Sequence, residues 1–160
     1  MSTWTDIAKW NRYKSEQGCP VCNQKPDERP QGERDIAVLR VCRLTADENT
    51  CMKGHCCLVS KPHAVELHDL SEEDATAFMH DIRQASRALQ SVTGAVKINY
   101  EIHGNTIPHL HLHLWPRQIG DRFENAPINW RTKDPAVYDE GEFEAFASAM
   151  QEAIKRTSGQ

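Results

Sequence analysis

Hydrophobic residues recur along this chain at two spacings, one typical of helices and one typical of strands. Apolar residues three or four positions apart predict a short amphipathic helix over 5–17, the strongest helix over 71–91 and a final helix over 142–155. Ser71 is suited to be the N-cap of the second helix, because acidic residues follow it in the first turn. Helices are therefore predicted at both ends and in the middle.

The strands are predicted between these helices. The segments that fit strands are 35–44, 55–60, a stretch from Val96 through Ile98 and Tyr100, and 109–115. The polar segment 46–54 is predicted as a turn, Pro116 is expected to stop the last strand, and 121–138 is expected to be irregular. This order predicts the α+β class, with an antiparallel sheet and flanking helices in one domain that spans residues 1–160.

The last strand carries the most informative pattern of the chain. His109, His111 and His113 alternate with leucines at a period of two, so a strand places the three imidazoles on one face and the leucines on the other. Three clustered imidazoles can bind a metal, transfer protons or attack an electrophile. The alternative is a solvated histidine face, which adjacent positive charges make unfavourable.

Composition narrows the class of protein. The 160 residues, 39% hydrophobic and 26% charged, suit one soluble globular domain. The net charge of −4 gives no electrostatic reason to bind nucleic acid polymers. The N-terminus lacks the layout of a signal peptide, and no apolar run approaches a membrane span. Six cysteines without a secretion signal suggest reduced thiols in the cytoplasm.

The residues before and within the triad suit chemistry at phosphorus. A central imidazole such as His111 is a competent nucleophile when a hydrogen bond holds its other nitrogen, and a neighbouring histidine can give a proton to the leaving group. Gly104, Asn105 and Thr106 lie just upstream, where an amide and a hydroxyl can bind phosphate oxygens. Ordinary turn chemistry is the alternative role for this segment.

At this point the chain resembles the histidine-triad (HIT) superfamily. The stretch 109–115 matches the family signature of three histidines separated by apolar residues. His55 stands in a stretch similar to the family's Gly-His-apolar strand and Lys-x-His turn, which ends here at His63. Asp47 lies eight residues before His55, where the family carries a residue for the ribose hydroxyls. The resemblance covers about 35–117, and it implies a HIT-like core with an added N-terminal segment and a C-terminal helical extension.

The resemblance implies a nucleotidyl hydrolase. His111 would attack the α-phosphorus of a nucleotide phosphoanhydride or phosphoramidate and form a nucleotidyl-histidine, from which water releases the nucleoside monophosphate. His113 and His55 would assist through hydrogen bonds, and an adenine nucleotide is the family-typical substrate. A histidine at the third triad position favours hydrolysis, since transferase branches carry glutamine there. A HIT phosphorylase or transferase and a non-catalytic metal-binding protein remain alternatives.

A Cys-x-x-Cys pair, Cys19 and Cys22, has the spacing of a zinc knuckle. A redox pair has the same spacing, but here the pair lies in a loop after a helix, and not at a helix start that follows a strand. Some HIT relatives bind zinc through such a pair, the histidine of the Lys-x-His turn and the first triad histidine. The resemblance therefore implies a structural zinc ion bound by Cys19, Cys22, His63 and His109.

Two expectations concern the surroundings of the site. HIT relatives commonly form a two-fold homodimer through a helix and a sheet edge, and the helix over 71–91 is the candidate here; a monomer is the alternative. His103 is expected in a solvated turn, with an approach to the site as the alternative. The other four cysteines are expected to be buried thiols, and Trp115 is expected to pack in a core or a dimer interface.

Overall fold

One antiparallel sheet of five strands forms the centre of the molecule. The computed structural model describes residues 6–25, 28–130 and 137–157. Its strands are β1 (Glu33–Val38), β2 (Cys42–Asp47), β3 (Cys56–Ser60), β4 (Lys97–His103) and β5 (His111–Arg117), and its helices are α1 (Ile7–Tyr13), α2 (Glu72–Thr93) and α3 (Glu142–Thr157). The strand order across the sheet is β1-β2-β3-β5-β4, with antiparallel pairing throughout. The predicted α+β class is confirmed.

The two long helices cover one face of the sheet. α2 begins after the N-cap Ser71, whose hydroxyl accepts the backbone N–H of Asp74, and it ends at Gly94, whose φ of 65° lies in the left-handed region that glycine tolerates. α3 packs beside α2 and against β1. The side chains buried between helices and sheet include Leu44, Leu58, Leu112, Leu114, Phe78, Leu89, Phe143 and Met150. The C-terminal extension is therefore part of the main hydrophobic core.

The prediction of a single strand over 35–44 is wrong, because a tight turn divides it into β1 and β2. Leu39 donates its backbone N–H to the carbonyl of Cys42, which closes the turn at 2.8 Å. Asp81 of α2 is fully buried beneath it and accepts the backbone N–H groups of Arg40, Val41 and Cys42 at 2.9–3.2 Å. A carboxylate that is distant in sequence thus holds this turn. The turn contains no glycine or proline, the residues by which a turn is usually predicted from sequence.

The predicted ends of the last two strands also need correction. Pro116 does not stop β5, which continues to Arg117. Pairing of β5 with β3 ends at Leu114, so at Pro116 only β4 lies beside the strand, with Ile98 as its partner. The missing N–H of Pro116 is tolerated there because one side of the strand has no partner strand to bond. His103 lies in β4 and not in a turn.

The N-terminal helix is shorter than predicted. α1 covers Ile7–Tyr13, with Asp6 as its N-cap, and a 3₁₀ turn at Glu16–Gly18 follows. Residue 5, where the predicted helix begins, lies outside the described residues. Residues 131–136 of the segment predicted to be irregular are also outside them. Within the described ranges, no helix is both long enough and apolar enough to cross a membrane.

The other face of the sheet, called here the open face, carries half-buried and exposed polar side chains. Residues alternate between the faces along each strand. Because Leu112 and Leu114 belong to the core, His111 and His113 lie on the open face. In register with them are Cys57 of β3, beside His113, and His103 of β4, opposite His111. The sheet therefore collects imidazoles from two neighbouring strands on one surface.

Candidate active site and metal centre

His111 is fixed on the open face by a contact with its own strand. Its Nδ1–H donates to the backbone carbonyl of His109 at 2.7 Å. This hydrogen bond assigns the proton to Nδ1, so Nε2 keeps its lone pair. Burial lowers the pKa of His111, and the nearby His103 contributes to the shift, so the ring is neutral at neutral pH. A neutral imidazole with a free Nε2 has the form that a nucleophile requires.

His55 and His113 form a hydrogen-bonded pair of imidazoles. The Nε2 of His55 lies 2.9 Å from the Nδ1 of His113, and the His55 ring stacks on Trp115 with centroids 3.8 Å apart. The Nδ1 of His55 is buried and has no hydrogen-bond partner among the described residues. A buried orphan acceptor is more readily tolerated than an orphan N–H. We therefore assign the proton of His55 to Nε2, which donates to His113, and the proton of His113 to its own Nε2.

Both rings of this pair are neutral. Burial lowers the pKa of His113 to about 3, and the imidazoles of His111 and His103 add to the shift. Burial also places the pKa of His55 well below its usual value, with a further contribution from His113. A neutral His113 is a hydrogen-bond donor through Nε2–H, which can stabilise negative charge on a phosphoryl oxygen without giving up its proton.

His103 is a fourth imidazole of the open face. Its ring centroid lies 5.6 Å from that of His113, and its Nε2 lies 3.2 Å from the carboxylate of Glu101. Its side chain is 45% exposed, whereas His55 is buried and His113 is half-buried. Sequence reasoning gave its approach to the site only as the alternative to a solvated turn, because the strand was not extended this far. The alternation of Glu101 and His103, continued from Asn99, was the available signal.

A second cluster holds the residues predicted to bind zinc. One potential ligand atom from each of Cys19, Cys22, His63 and His109 lies within 4.8 Å of all the others. The Sγ of Cys22 lies 3.2 Å from the Nδ1 of His63 and 3.5 Å from the Nδ1 of His109, and the Sγ of Cys19 lies 3.4 Å from the Nδ1 of His109. Tetrahedral zinc with ordinary bond lengths separates S and N ligands by about 3.6 Å.

Backbone carbonyls orient both imidazoles of this cluster. The Nε2–H of His109 donates to the carbonyl of Ser60 at 2.8 Å, and that of His63 donates to the carbonyl of Lys14 at the same distance. Each Nδ1 is therefore an unprotonated acceptor that points at the sulfurs. A ring whose second nitrogen donates to a carbonyl is the usual arrangement of a zinc-bound histidine. The donor set and its hydrogen bonds fit a zinc ion held by these four residues.

The two cysteines are held in place by the loop that carries them. The side-chain amide of Asn23 donates to the carbonyls of Glu16 and Cys19 at 2.9 and 2.8 Å. The backbone N–H of Asn23 closes the turn on Cys19 at 3.2 Å. His63 and His109 reach the loop from the end of β3 and from just before β5. The cluster thus joins the N-terminal segment to the start of the triad strand.

The predicted substrate-binding residues border the open face on two sides. Asp47 ends β2 and accepts the backbone N–H of Asn49 at 2.8 Å. Neighbouring strands lie about 4.8 Å apart, so β2 is roughly 10 Å from β5 across β3. Asn105 and Thr106 are exposed in the connection from β4 to β5.

Beyond β3 the open face carries charged residues that sequence reasoning did not single out. Arg43 forms ion pairs with Asp35 at 3.2 Å and Glu33 at 3.5 Å, and Arg29 pairs with Asp35. A cavity of about 340 Å³ lies between this group and the metal cluster, with Lys61 in its wall. No part of the sequence pattern predicted this cavity, because its walls come from four separate segments.

Other side chains singled out from the sequence have structural positions. Cys42, Cys51 and Cys56 are buried and Cys57 is half-buried, as expected of thiols that act as small apolar groups. Trp115 is 2% exposed and packs in a second apolar cluster with Cys51, Phe123 and Ile128. The expectation that Trp115 packs in a core is confirmed.

The sequence and fold together identify the family. The family model for the HIT domain matches residues 37–120, which include the triad and β2 to β5. The chain therefore belongs to the HIT domain family. A crystal structure of a histidine triad protein from Bradyrhizobium japonicum is 31% identical, with a TM-score of 0.68, over 78% of this chain and 92% of that one.

Two further relatives resemble this chain in different ways, one in its fold and the other in part of its sequence. A Zn-bound histidine triad family protein from Mycobacterium smegmatis is 22% identical, with a TM-score of 0.63, over 91% of this chain and 99% of that one, which shows the common fold. A curated relative from Schizosaccharomyces pombe, an asymmetrical bis(5'-nucleosyl)-tetraphosphatase, is 28% identical over 79 residues. That match covers 46% of this chain and 43% of the relative, so this chain matches less than half of the enzyme's length.

Proposed function

We propose that this protein is a nucleotidyl hydrolase that acts through a nucleotidyl-histidine on His111. The observation that carries the proposal is the hydrogen bond from the Nδ1–H of His111 to the His109 carbonyl, which leaves Nε2 available on the open face. Membership of the HIT domain family and the nucleotide-cleaving relative support nucleotide hydrolysis in general. The proposed bond is a phosphoanhydride or a phosphoramidate.

In the proposed reaction, Nε2 of His111 forms a bond to the α-phosphorus while the bond to the leaving group breaks. The Nε2–H of neutral His113 donates to the phosphoryl group as its negative charge increases, and His55 holds His113 in that tautomer. Water then attacks the nucleotidyl-histidine and releases the nucleoside monophosphate.

The proposed substrate lies across the sheet. Asp47 would bind the ribose hydroxyls from β2, and the α-phosphate would lie over His111 and His113 on β5. Asn105 and Thr106, exposed beside the start of β5, would donate to phosphate oxygens. An adenine nucleotide, the family-typical substrate, is the first to test, and the relative named for bis(5'-nucleosyl)-tetraphosphate cleavage makes a dinucleoside tetraphosphate a suitable form of it.

Zinc is the proposed resident metal, and its role is structural. Two thiolates and two imidazoles complete a tetrahedral shell, which leaves no open position for a substrate. The Mycobacterium smegmatis relative is described as zinc-bound. Because thiolate ligands survive best under reducing conditions, we also propose the cytoplasm as the compartment.

Trapping the covalent intermediate tests the proposal directly. The protein is mixed with a panel of α-labelled nucleotides, quenched at neutral or alkaline pH, and digested for mass spectrometry. We expect a nucleoside monophosphate adduct on the peptide that carries His111, absent from His111→Ala. An adduct on another residue, or rapid hydrolysis by His111→Ala, would refute the assignment. Running the reaction with and without labelled inorganic phosphate separates hydrolysis from phosphorolysis, since only the latter incorporates the added phosphate into a nucleoside diphosphate.

A two-fold homodimer through the edge strand β4 is the proposed assembly. β4 is an edge of the sheet, and Tyr100 is 49% and Ile102 40% exposed on it. The broad apolar face of α2 is covered by α3 within the chain, so the sheet edge carries the proposal. Sedimentation at micromolar concentration should give twice the chain mass of 18.2 kDa. Tyr100→Lys should weaken the dimer, whereas Val38→Lys on the opposite edge should not.

A further inference from the structure

The proposed reaction needs a proton donor for the leaving group, and the buried imidazoles do not supply one. His111 has its Nδ1 proton committed to a carbonyl and uses its Nε2 as the nucleophile. His113 and His55 are neutral rings that share a hydrogen bond. A neutral imidazole is a very weak acid, so His113 can stabilise charge but cannot readily protonate an alkoxide or phenoxide.

His103 lies beside these three imidazoles and is more exposed to solvent than they are. It stands on β4 directly opposite His111, and its ring approaches that of His113 with centroids 5.6 Å apart at an angle of 50°. Its side chain is 45% exposed, so the ring can take a proton from solvent. The charged and titratable groups that the structure places against it are Glu101 on its own strand and His111 and His113 on β5.

Glu101 holds the ring of His103 in place. Its carboxylate lies 3.2 Å from the Nε2 of His103 and accepts the Nε2–H. With Nε2 held in this way, Nδ1 is the nitrogen that carries the transferable proton.

We propose that His103 is the general acid of this enzyme and that Glu101 is its positioning residue. The proposal rests on the hydrolase function proposed above and adds a residue outside the triad. In the first step the Nε2 lone pair of His111 forms the P–N bond. The bond from phosphorus to the leaving oxygen breaks with its electron pair, and that oxygen takes the Nδ1 proton of His103. In the second step neutral His103 accepts a proton from water as the water oxygen attacks phosphorus and the P–N bond breaks.

The test compares leaving groups of different basicity. A general acid matters for a basic leaving group and hardly matters for one that departs readily as an anion. The substrates are the phenyl and 4-nitrophenyl esters of adenosine 5'-monophosphate, assayed with the full chain loaded with zinc. We expect His103→Gln to lower kcat/KM by about 100-fold for the phenyl ester and to leave the 4-nitrophenyl ester nearly unchanged. Glu101→Gln should show a smaller loss with the same preference.

Controls separate this proposal from the reaction on which it depends. His68→Gln alters an imidazole that is 84% exposed in a different segment, and it should leave both rates unchanged. His111→Ala should lose both. Equal losses on both esters in His103→Gln, or no loss on the phenyl ester, would overturn the assignment while the hydrolase function stands. If the unaltered protein hydrolyses neither ester, and cleaves no adenine phosphoanhydride or phosphoramidate either, the proposed function is refuted and the role of His103 falls with it.

Discussion

Two histidines of the same signature, His109 and His111, have opposite nitrogens available. His109 donates its Nε2–H to Ser60 and turns Nδ1 towards Cys19 and Cys22, whereas His111 donates its Nδ1–H to a carbonyl and leaves Nε2 on the open face. In each case a backbone carbonyl determines which nitrogen keeps its lone pair.

This difference explains how one stretch of sequence can serve a metal and a reaction. Nδ1 lies close to the backbone, which suits a buried ligand held beside the loop of Cys19 and Cys22. Nε2 lies at the tip of the ring, which suits attack on a substrate above the sheet. His109 also precedes the first residue of β5, so its ring is released from the strand alternation that directs His111 and His113.

The largest expected effect tests the reactive side of this comparison. His111→Ala should lower kcat by about 1,000-fold or more with an adenine dinucleotide or phosphoramidate, because it removes covalent catalysis. Zinc content and the melting temperature should change little, since the ring of His111 is outside the cluster of Cys19, Cys22, His63 and His109. Steady-state kinetics, elemental analysis and calorimetry measure the three quantities. Substantial activity in this variant, or loss of its zinc, would break the proposed division of roles.

The metal side is tested by Cys22→Ser. The purified protein should hold about one zinc ion per chain, and the variant should lose it and melt at a lower temperature, because the ion joins the N-terminal loop to β5. Activity should fall less than in His111→Ala. Cys57→Ser is the matched control, since this thiol lies on the sheet outside the cluster and its loss should leave zinc unchanged. Equal zinc content in both variants would remove the metal assignment.

The sequence predicted the parts of the molecule that depend on local spacing. Local spacing correctly predicted three features: the strand that carries His111, the N-cap at Ser71, and the position of the Cys-x-x-Cys pair beside two histidines. Contacts between distant segments were not predictable in this way. The turn of 39–41 depends on Asp81, which lies about forty residues further along the chain.

Contacts between distant segments also explain which features of the site the sequence did not predict. No local pattern predicts that Ser60 and Lys14 supply the carbonyls that orient the zinc-site imidazoles. His103 was expected in a solvated turn, with an approach to the site as the alternative, yet β4 continues to that residue and brings it opposite His111. Strand register, which a single sequence does not give, was needed to place it.

A smaller effect is expected when the donor role of His113 is tested. If His113 acts as a neutral donor through Nε2–H, the side-chain amide of a glutamine can replace part of that role, whereas a methyl group cannot. His113→Gln should therefore lose about 10-fold in kcat/KM and His113→Ala about 100-fold or more. The assay is steady-state hydrolysis of the same nucleotide. Equal activities of the two variants would show that a neutral hydrogen bond is not what His113 contributes.

The smallest expected effect concerns the pH dependence of stability that buried His55 creates. Burial lowers the pKa of His55, so below its unfolded value of 6.5 the unfolded chain binds a proton that the folded chain does not. Acidification through that region therefore destabilises the fold. His55→Phe keeps an aromatic ring against Trp115 without the imidazole. The drop in unfolding free energy between about pH 7 and about pH 5.5 should be smaller in the variant by about 1 kcal/mol. Urea unfolding with excess zinc at both pH values measures it, because release of zinc by acid affects both proteins alike. Identical pH dependence of the two proteins would mean that His55 is protonated in the fold, and the tautomer assigned to the His55–His113 pair would then be wrong.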